Sequence, residues 1–414
     1  MEIYVYADWV DPIDSMFIGT LRSSVIRGKE HFSFNYDKEW LTSEYARQID
    51  PSLQLYIGEQ HAEDDRNFKV FLDSCPDRWG RLLMQRREAV IARNEKRRAR
   101  KLFETDYLLG VHDSFRMGAL RFRTSKNGIF LDNSDDLAAP AITCLPELQL
   151  AANGIENTPD FDNPDYLKWL NMLISPGSSL GGARPKASIR DIDQSLWLAK
   201  FPSRYDEYDI GLWEFIVYQM ALDVGINMAD SKIEAIGHHH IFLTKRFDRT
   251  EDGKRLHFSS AMTQLEYFDG HDDSASYLEL AEFLIQYGSN TKVDLEQLWK
   301  RMLFNIMVSN SDDHLRNHGF ILDTTGWRLS PAYDINPTMN ATGLHLNIDD
   351  TSNALDVDLA FEVADYFQVD ARTANEIYQK ILNVVSGWES LAQKYGAPKG
   401  ERDLLRGCFI TEEY

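Results

Sequence analysis

Val308-Ser309-Asn310-Ser311-Asp312-Asp313-His314-Leu315-Arg316-Asn317, answered by Leu329-Ser330-Pro331-Ala332-Tyr333-Asp334, is the part of the chain that decides how the rest is read. Between the two, Gly319-Phe320-Ile321-Leu322 and Trp327-Arg328-Leu329 flank an Asp-Thr-Thr-Gly turn, which predicts a short hairpin. That hairpin would return Asp334 to the neighbourhood of Asn317. Phosphoryl transfer needs a carboxylate beside the attacking hydroxyl and oxygen ligands for Mg²⁺, a hard cation that takes carboxylate, amide and phosphate oxygens. Asp312 can supply the first, and Asn317 with Asp334 the second. The plainer alternative is a polar loop, since Asn and Asp also form turns and caps.

Asp312 and Asn317 stand five residues apart, the interval between base Asp and metal-binding Asn in a protein-kinase catalytic loop. The 414 residues suffice for two or three domains or one two-lobed enzyme, and 43% hydrophobic with 26% charged residues is ordinary for a globular chain. A formal net charge of -21 argues against a surface built for general nucleic-acid binding, which needs excess Lys and Arg. Cys75, Cys144 and Cys408 are widely spaced and lack a CxxC partner, which fits reduced thiols better than a disulfide frame or a zinc site. Met1 to Trp9 alternates like a strand and lacks a signal-peptide layout. No run approaches the roughly 18 to 20 apolar residues of a membrane helix. The expected location is the cytoplasm, with no membrane partner.

Residues 1 to 125 read as one α+β unit. Ile3 to Tyr6, Phe17 to Leu21 and His31 to Phe34 have strand character, and the chain turns helical around Phe71 to Met84. Arg86 to Lys101 holds eight basic residues in sixteen, opposed by Glu88 and Glu95. Two readings fit it: a solvated helix face, or a docking surface for an acidic partner or a nucleic acid. Asn-Gly, Ala-Pro and Asn-Thr-Pro clusters between Thr124 and Asp165 place a boundary there.

Ser178-Ser179-Leu180-Gly181-Gly182-Ala183-Arg184-Pro185-Lys186 follows. Its glycines can let backbone N–H groups wrap an anion, although a Gly-Gly hairpin turn would be spelled the same way. It is neither a Walker A loop nor a GxGxxG. Ser195 to Pro202 reads as a strand carrying Lys200, similar to the kinase strand whose Lys holds phosphates. Tyr208 to Val224 has helical period, with Glu214 near its start, placed either to orient Lys200 or as an ordinary surface acid. Gly237 to Arg249 reads as a turn and strand, suiting a hinge whose main chain binds adenine. His238, His239 and His240 are consecutive, so on an extended chain they point to alternate faces and suit an exposed turn better than one metal. Ile377, Ile381, Val384, Val385, Trp388 and Leu391 form a buried C-terminal helical stripe.

The order of these pieces is the kinase order, and their spellings resemble a narrower group. Ser179 to Lys186, Asn310 to Asn317 and Pro331 to Asp334 look like the HipA family of serine/threonine kinase toxins, as do Pro76-Asp77-Arg78-Trp79-Gly80-Arg81-Leu82-Leu83 and Met117 to Leu120. The resemblance implies an α+β, two-lobed protein-kinase-like fold. It would comprise an N-terminal subdomain (1–125), an N-lobe with the glycine-rich loop and ATP Lys (126–248), and a mostly helical C-lobe (249–414). It implies ATP and Mg²⁺ as cofactors, Asp312 as base, and Asn317 and Asp334 on the metal. Lys200 would contact phosphates beneath Gly181, Gly182, Ala183, Arg184, Pro185 and Lys186, with Glu214 behind it. Lys245, Arg246 and Phe247 would lie at the adenine, and His314 and Tyr333 belong to the same motifs. Ser179 matches a serine whose autophosphorylation silences family members. The implied partners are a protein substrate (in the family, an aminoacyl-tRNA synthetase) and a small DNA-binding antitoxin, with DNA met only through the antitoxin. Ala183-Arg184-Pro185 departs from the best-studied Ala-Gln-Glu spelling. The Asp-x-His-x-x-Asn form is also similar to phosphoinositide kinases, so a small-molecule or lipid kinase stays open, as does a non-catalytic subunit of a repressor complex.

Overall fold

A computed structural model of the chain describes residues 1–9, 15–63, 66–133, 140–156, 163, 165–174, 184–272 and 274–412. They divide into two compact units, Met1–Arg204 with Asp248–Ser259, and Tyr205–Phe247 with Ser260–Tyr414.

In the first unit, strands β1 (Glu2–Ala7), β2 (Met16–Ile26) and β3 (Lys29–Tyr36) lead into helix α1 (Lys38–Thr42) and strand β4 (Gln60–His61). Helices α2 (Lys69–Asp73), α3 (Arg78–Asn94) and α4 (Glu104–Leu109) precede strand β5 (Leu120–Arg123). The strands form an antiparallel sheet in the order β4-β3-β2-β1-β5. The β2–β3 turn needs only Arg27 and Gly28, at φ 52° and 80°, the left-handed pair whose twist suits a two-residue hairpin. The inward face of Ile3, Val5, Leu21 and Phe34 packs with Trp40, Phe71 and Leu108. Arg116, fully buried, donates to the carbonyl oxygens of Ser74, Leu108, Val111 and Leu131 at 2.8–3.0 Å, closing loops that would otherwise bury bare carbonyls. Helices α5 (Leu145–Glu156) and α6 (Tyr166–Leu173) follow, then strands β6 (Lys186–Arg190) and β7 (Leu196–Lys200), an antiparallel pair.

One break between the units falls between Phe247 and Asp248, beside the boundary expected at 248, while the position expected at 125 lies inside the first unit. Two contacts give the reason. The Trp79 indole N–H donates to the Lys186 carbonyl at 3.2 Å, so α3 and β6 belong to one body. Asp248, fully buried, accepts the Gly118 N–H at 2.7 Å, which returns the chain to the first unit after residue 247.

The second unit begins with α7 (Ile210–Val224), capped by Asp209 accepting the Leu212 N–H and ended by Gly225 at φ 84°. Strands β8 (Ser231–Ile236) and β9 (His239–Lys245) form a hairpin, of which the turn and the second strand were expected. The short strand β10 (Phe258–Ser260) marks re-entry, followed by α8 (Ala261–Gln264), α9 (Tyr277–Tyr287) and α10 (Thr291–Met307). Strands β11 (Gly319–Leu322) and β12 (Trp327–Leu329) pair as predicted. Helices α11 (Val357–Glu362), α12 (Ala371–Ser386), α13 (Trp388–Lys394) and α14 (Lys399–Leu405) complete the unit. Its core joins Trp213, Trp299, Phe304, Ile381 and Trp388, so the C-terminal stripe is core packing. No helix among the described residues is long and apolar enough to cross a membrane.

Candidate active site

Helix α10 ends at Met307, and the next turns reverse on Ser309 at φ 51°, an uncommon conformation for a residue with a Cβ. Two bonds brace the reversal. The Asn310 side-chain amide donates to Asn305 Oδ1 at 3.1 Å, and the Thr338 N–H donates to the Ser309 carbonyl at 3.0 Å. The loop therefore leaves a buried helix end with its backbone already fixed.

Asp312 stands at the outer edge of that loop with its side chain 76% exposed, 3.9 Å from His314 Nε2. Asn317 is buried, and its Nδ2 donates to the Asp312 carbonyl at 2.7 Å. Among the described residues its Oδ1 has no hydrogen-bond partner. A buried acceptor left open costs about 1–3 kcal/mol, so this oxygen calls for a ligand.

The β11–β12 hairpin returns the chain as anticipated. The Tyr333 hydroxyl donates to the Arg316 carbonyl at 2.8 Å, tying the two motifs together. Asp334 adopts φ 58°, a left-handed conformation that Asp tolerates better than most residues and that gathers at functional sites. Asn336 Nδ2 donates to Asp334 Oδ1 at 3.0 Å, while the Asn336 N–H reaches Asn310 Oδ1 at 3.3 Å. One small pocket is lined by Asn305, Asn310, Asp313, Asn317, Tyr333 and Asp334, so the two expected metal ligands face the same space. An amide oxygen and a carboxylate suit Mg²⁺, which keeps several waters and takes one or two protein oxygens. No group of three or more His, Cys, Asp or Glu that could hold a metal ion occurs among the described residues. His238 and His239 are exposed in and beside the β8–β9 turn, and His240 Nδ1 lies 2.6 Å from Asp209 Oδ2.

Beneath the loop sits a residue to which the sequence had assigned no role. Asp313 is buried and accepts from the Tyr277 hydroxyl, from Asn305 Nδ2 at 3.5 Å and from the His345 N–H at 3.0 Å. Burial pushes its carboxyl up to about 7, against the pull of those donors. His345 in turn stands edge-on to His314 at 5.8 Å. The signal available in the sequence was the second Asp of the Asp-Asp pair; nothing local pointed to Tyr277 or His345.

Phe247 stacks on Tyr333, with ring centroids 5.4 Å apart, which brings the expected adenine segment beside the metal motif. Lys245 closes β9, its N–H donating to the Asp230 carbonyl at 2.7 Å, and Arg246 is buried. Glu214 is buried in the first turns of α7. Lys200 ends β7, in the first unit. Arg184 Nη2 donates to the Phe201 carbonyl at 3.3 Å, the Pro185 carbonyl accepts the Phe201 N–H at 2.9 Å, and Lys186 is paired with Asp77. Ser179, Gly181, Gly182 and Ala183 lie outside the described residues.

A family profile described as the HipA-like C-terminal domain matches residues 178–388, and one described as the HipA N-terminal domain matches 13–106. A relative from Haemophilus influenzae, a kinase by name, is 30% identical over 101 residues, 22% of this chain and 29% of its own length. A second kinase by name, from Sinorhizobium fredii, is 23% identical over 186 residues, 39% of this chain and 42% of its own. The chain thus spans less than half the length of these relatives. HipA of Shewanella oneidensis, solved with HipB and its operator DNA, superposes with a TM-score of 0.66 at 17% identity, covering 98% of this chain and 94% of that one. That likeness bears out the expected α+β, kinase-like fold.

Proposed function

The chain belongs to the HipA family, and on that premise we propose that it is an ATP- and Mg²⁺-dependent protein serine/threonine kinase, the toxin of a toxin–antitoxin pair. The observation that carries this reading is the open Asn317 Oδ1 facing the pocket shared with Asp334, with the Asp312 carboxylate exposed on the same loop. Asn317 and Asp334 would hold the metal. Bound Mg²⁺ and ATP supply the transferable phosphoryl group and the positive charge that eases its departure.

The residues of the chain do the rest. Asp312, at the solvent edge, takes the proton from the attacking hydroxyl. Asn317 gives its N–H to the Asp312 backbone, which leaves its amide oxygen for the metal. The Asn336 amide fixes one oxygen of Asp334 and so orients the carboxylate. The reading assigns Lys200 to the phosphates and the segment around Phe247 to the adenine. HipB accompanies the Shewanella HipA on operator DNA, which supports a small DNA-binding antitoxin as partner here. Ser179 is read as an inhibitory phosphosite, because a phosphate adds about -1.5 to -2 charge beside the place meant for ATP's own.

Labelled ATP tests the assignment. Asp312→Asn should lose about a thousandfold in phosphate transfer, the scale of a general base, with its melting temperature unchanged. Transfer at the wild-type rate would reject the role. Mass spectrometry after incubation with ATP should find phosphate on Ser179, and its absence from active protein would remove the proposed silencing.

A further inference from the structure

Lys186 directly follows the glycine-rich stretch and, by position, looks like a cation for phosphate. Its surroundings give it another task. It opens β6, and its Nζ lies 3.0 Å from Asp77 Oδ2, the two side chains being 6% and 5% exposed. Its carbonyl accepts the Trp79 indole N–H at 3.2 Å. Asp77 is fixed in turn, because its Oδ1 accepts the Gly80 N–H at 2.9 Å as the cap of α3. The start of one helix therefore grips both the charge and the backbone of one residue.

Across the hairpin, the register partner of Lys186 is Lys200. Partners in an antiparallel pair project from the same face, where like charges repel. Asp77 offsets one of the two charges. Removing the carboxylate from a buried ion pair is costly, because it leaves the ammonium less compensated and drives it to move. Moving it would disturb the strand end that sets the position of Lys200.

We propose that Asp77 and Trp79 are positioning residues for the phosphate site, and that Lys186 is their anchor point rather than a ligand of phosphate. The inference rests on the nucleotide reading above. Calorimetric titration of the full chain with MgATP, and separately with adenosine, tests it. Asp77→Asn should weaken MgATP about tenfold, in the range for loss of a group that orients a ligand, and leave adenosine unchanged. Asp77→Asn combined with Lys186→Met removes the stranded charge, and should restore most of the MgATP affinity although it deletes a cation. Trp79→Phe keeps an aromatic side chain but loses the N–H and part of the indole's volume; it should weaken MgATP about threefold, the worth of one hydrogen bond. Should Asp77→Asn fail to fold by its melting curve, Trp79→Phe carries the test alone. Unchanged MgATP affinity in the folded variants overturns the inference, as does a double variant weaker than Asp77→Asn, which would make Lys186 a phosphate ligand. In those cases the wild type still binds MgATP. A wild type that binds none removes the nucleotide reading itself, and the inference with it.

Discussion

The loop of residues 309–317 and the β6–β7 hairpin both carry residues read as parts of a nucleotide site, yet they are held in opposite ways. Beneath the loop, Asp313 is buried among neutral donors: a phenol, an amide and a backbone N–H. At the hairpin, Asp77 is buried against a full positive charge on Lys186. A carboxyl satisfied by neutral donors still feels its burial and rises to about 7, so the loop's footing depends on pH. A buried ion pair is instead fragile to the loss of one partner, whose charge is then stranded.

The largest effect expected is on the loop's chemistry, the roughly thousandfold loss of transfer in Asp312→Asn with the fold intact. Next is the footing. Asp313→Ala, which strips the acceptor from three donors, should destabilise the chain by about 3 kcal/mol in a denaturant titration. Its pH dependence sharpens the contrast. Folded Asp313 keeps its proton up to about pH 7, whereas the ordinary value is 3.8. The stability this carries is therefore whole below about pH 4 and is lost as pH rises through 7, at about 1 kcal/mol per pH unit in between. The stability gap between wild type and Asp313→Asn should shrink from pH 5 to pH 8; a constant gap would deny the raised carboxyl. Smaller again, Asn336→Ala removes one donor from Asp334 and should cost about 10- to 100-fold in transfer or metal affinity, with stability barely moved.

The smallest effect belongs to the basic stretch. Helix α3 carries it only to Asn94, after which Lys96 turns at φ 54° and the chain leaves the helix. Glu88 pins the loop, pairing with Arg97 at 2.5 Å and accepting the Arg100 N–H at 2.9 Å. Lys96 and Arg98 point to solvent, so Lys96→Glu with Arg98→Glu should change stability by less than about 0.5 kcal/mol.

Local spelling carried what is local. Strands β1 to β3, the β11–β12 hairpin and the meeting of Asn317 with Asp334 were all legible, since period, turn chemistry and spacing lie within a few residues. Asp313 was legible as a residue but not as a hub, because its donors come from α9, from the end of α10 and from the segment at His345. On the proposal above, the task of Lys186 is hidden for the same reason. Its neighbours in sequence are Pro185 and Ala187, while its counter-ion caps a helix far upstream. The basic stretch could be counted, but the fold of its second half depends on where Glu88 sits.

The proposed function requires Asn317 and Asp334 to hold a metal for a nucleotide. Calorimetric titration with ATP, with and without Mg²⁺, measures this in the wild type, Asn317→Ala and Asp334→Asn. Mg²⁺ should tighten ATP binding in the wild type, and each variant should lose that gain while keeping its fold. Equal Mg²⁺ dependence in all three proteins, or no ATP binding by the wild type, would contradict it.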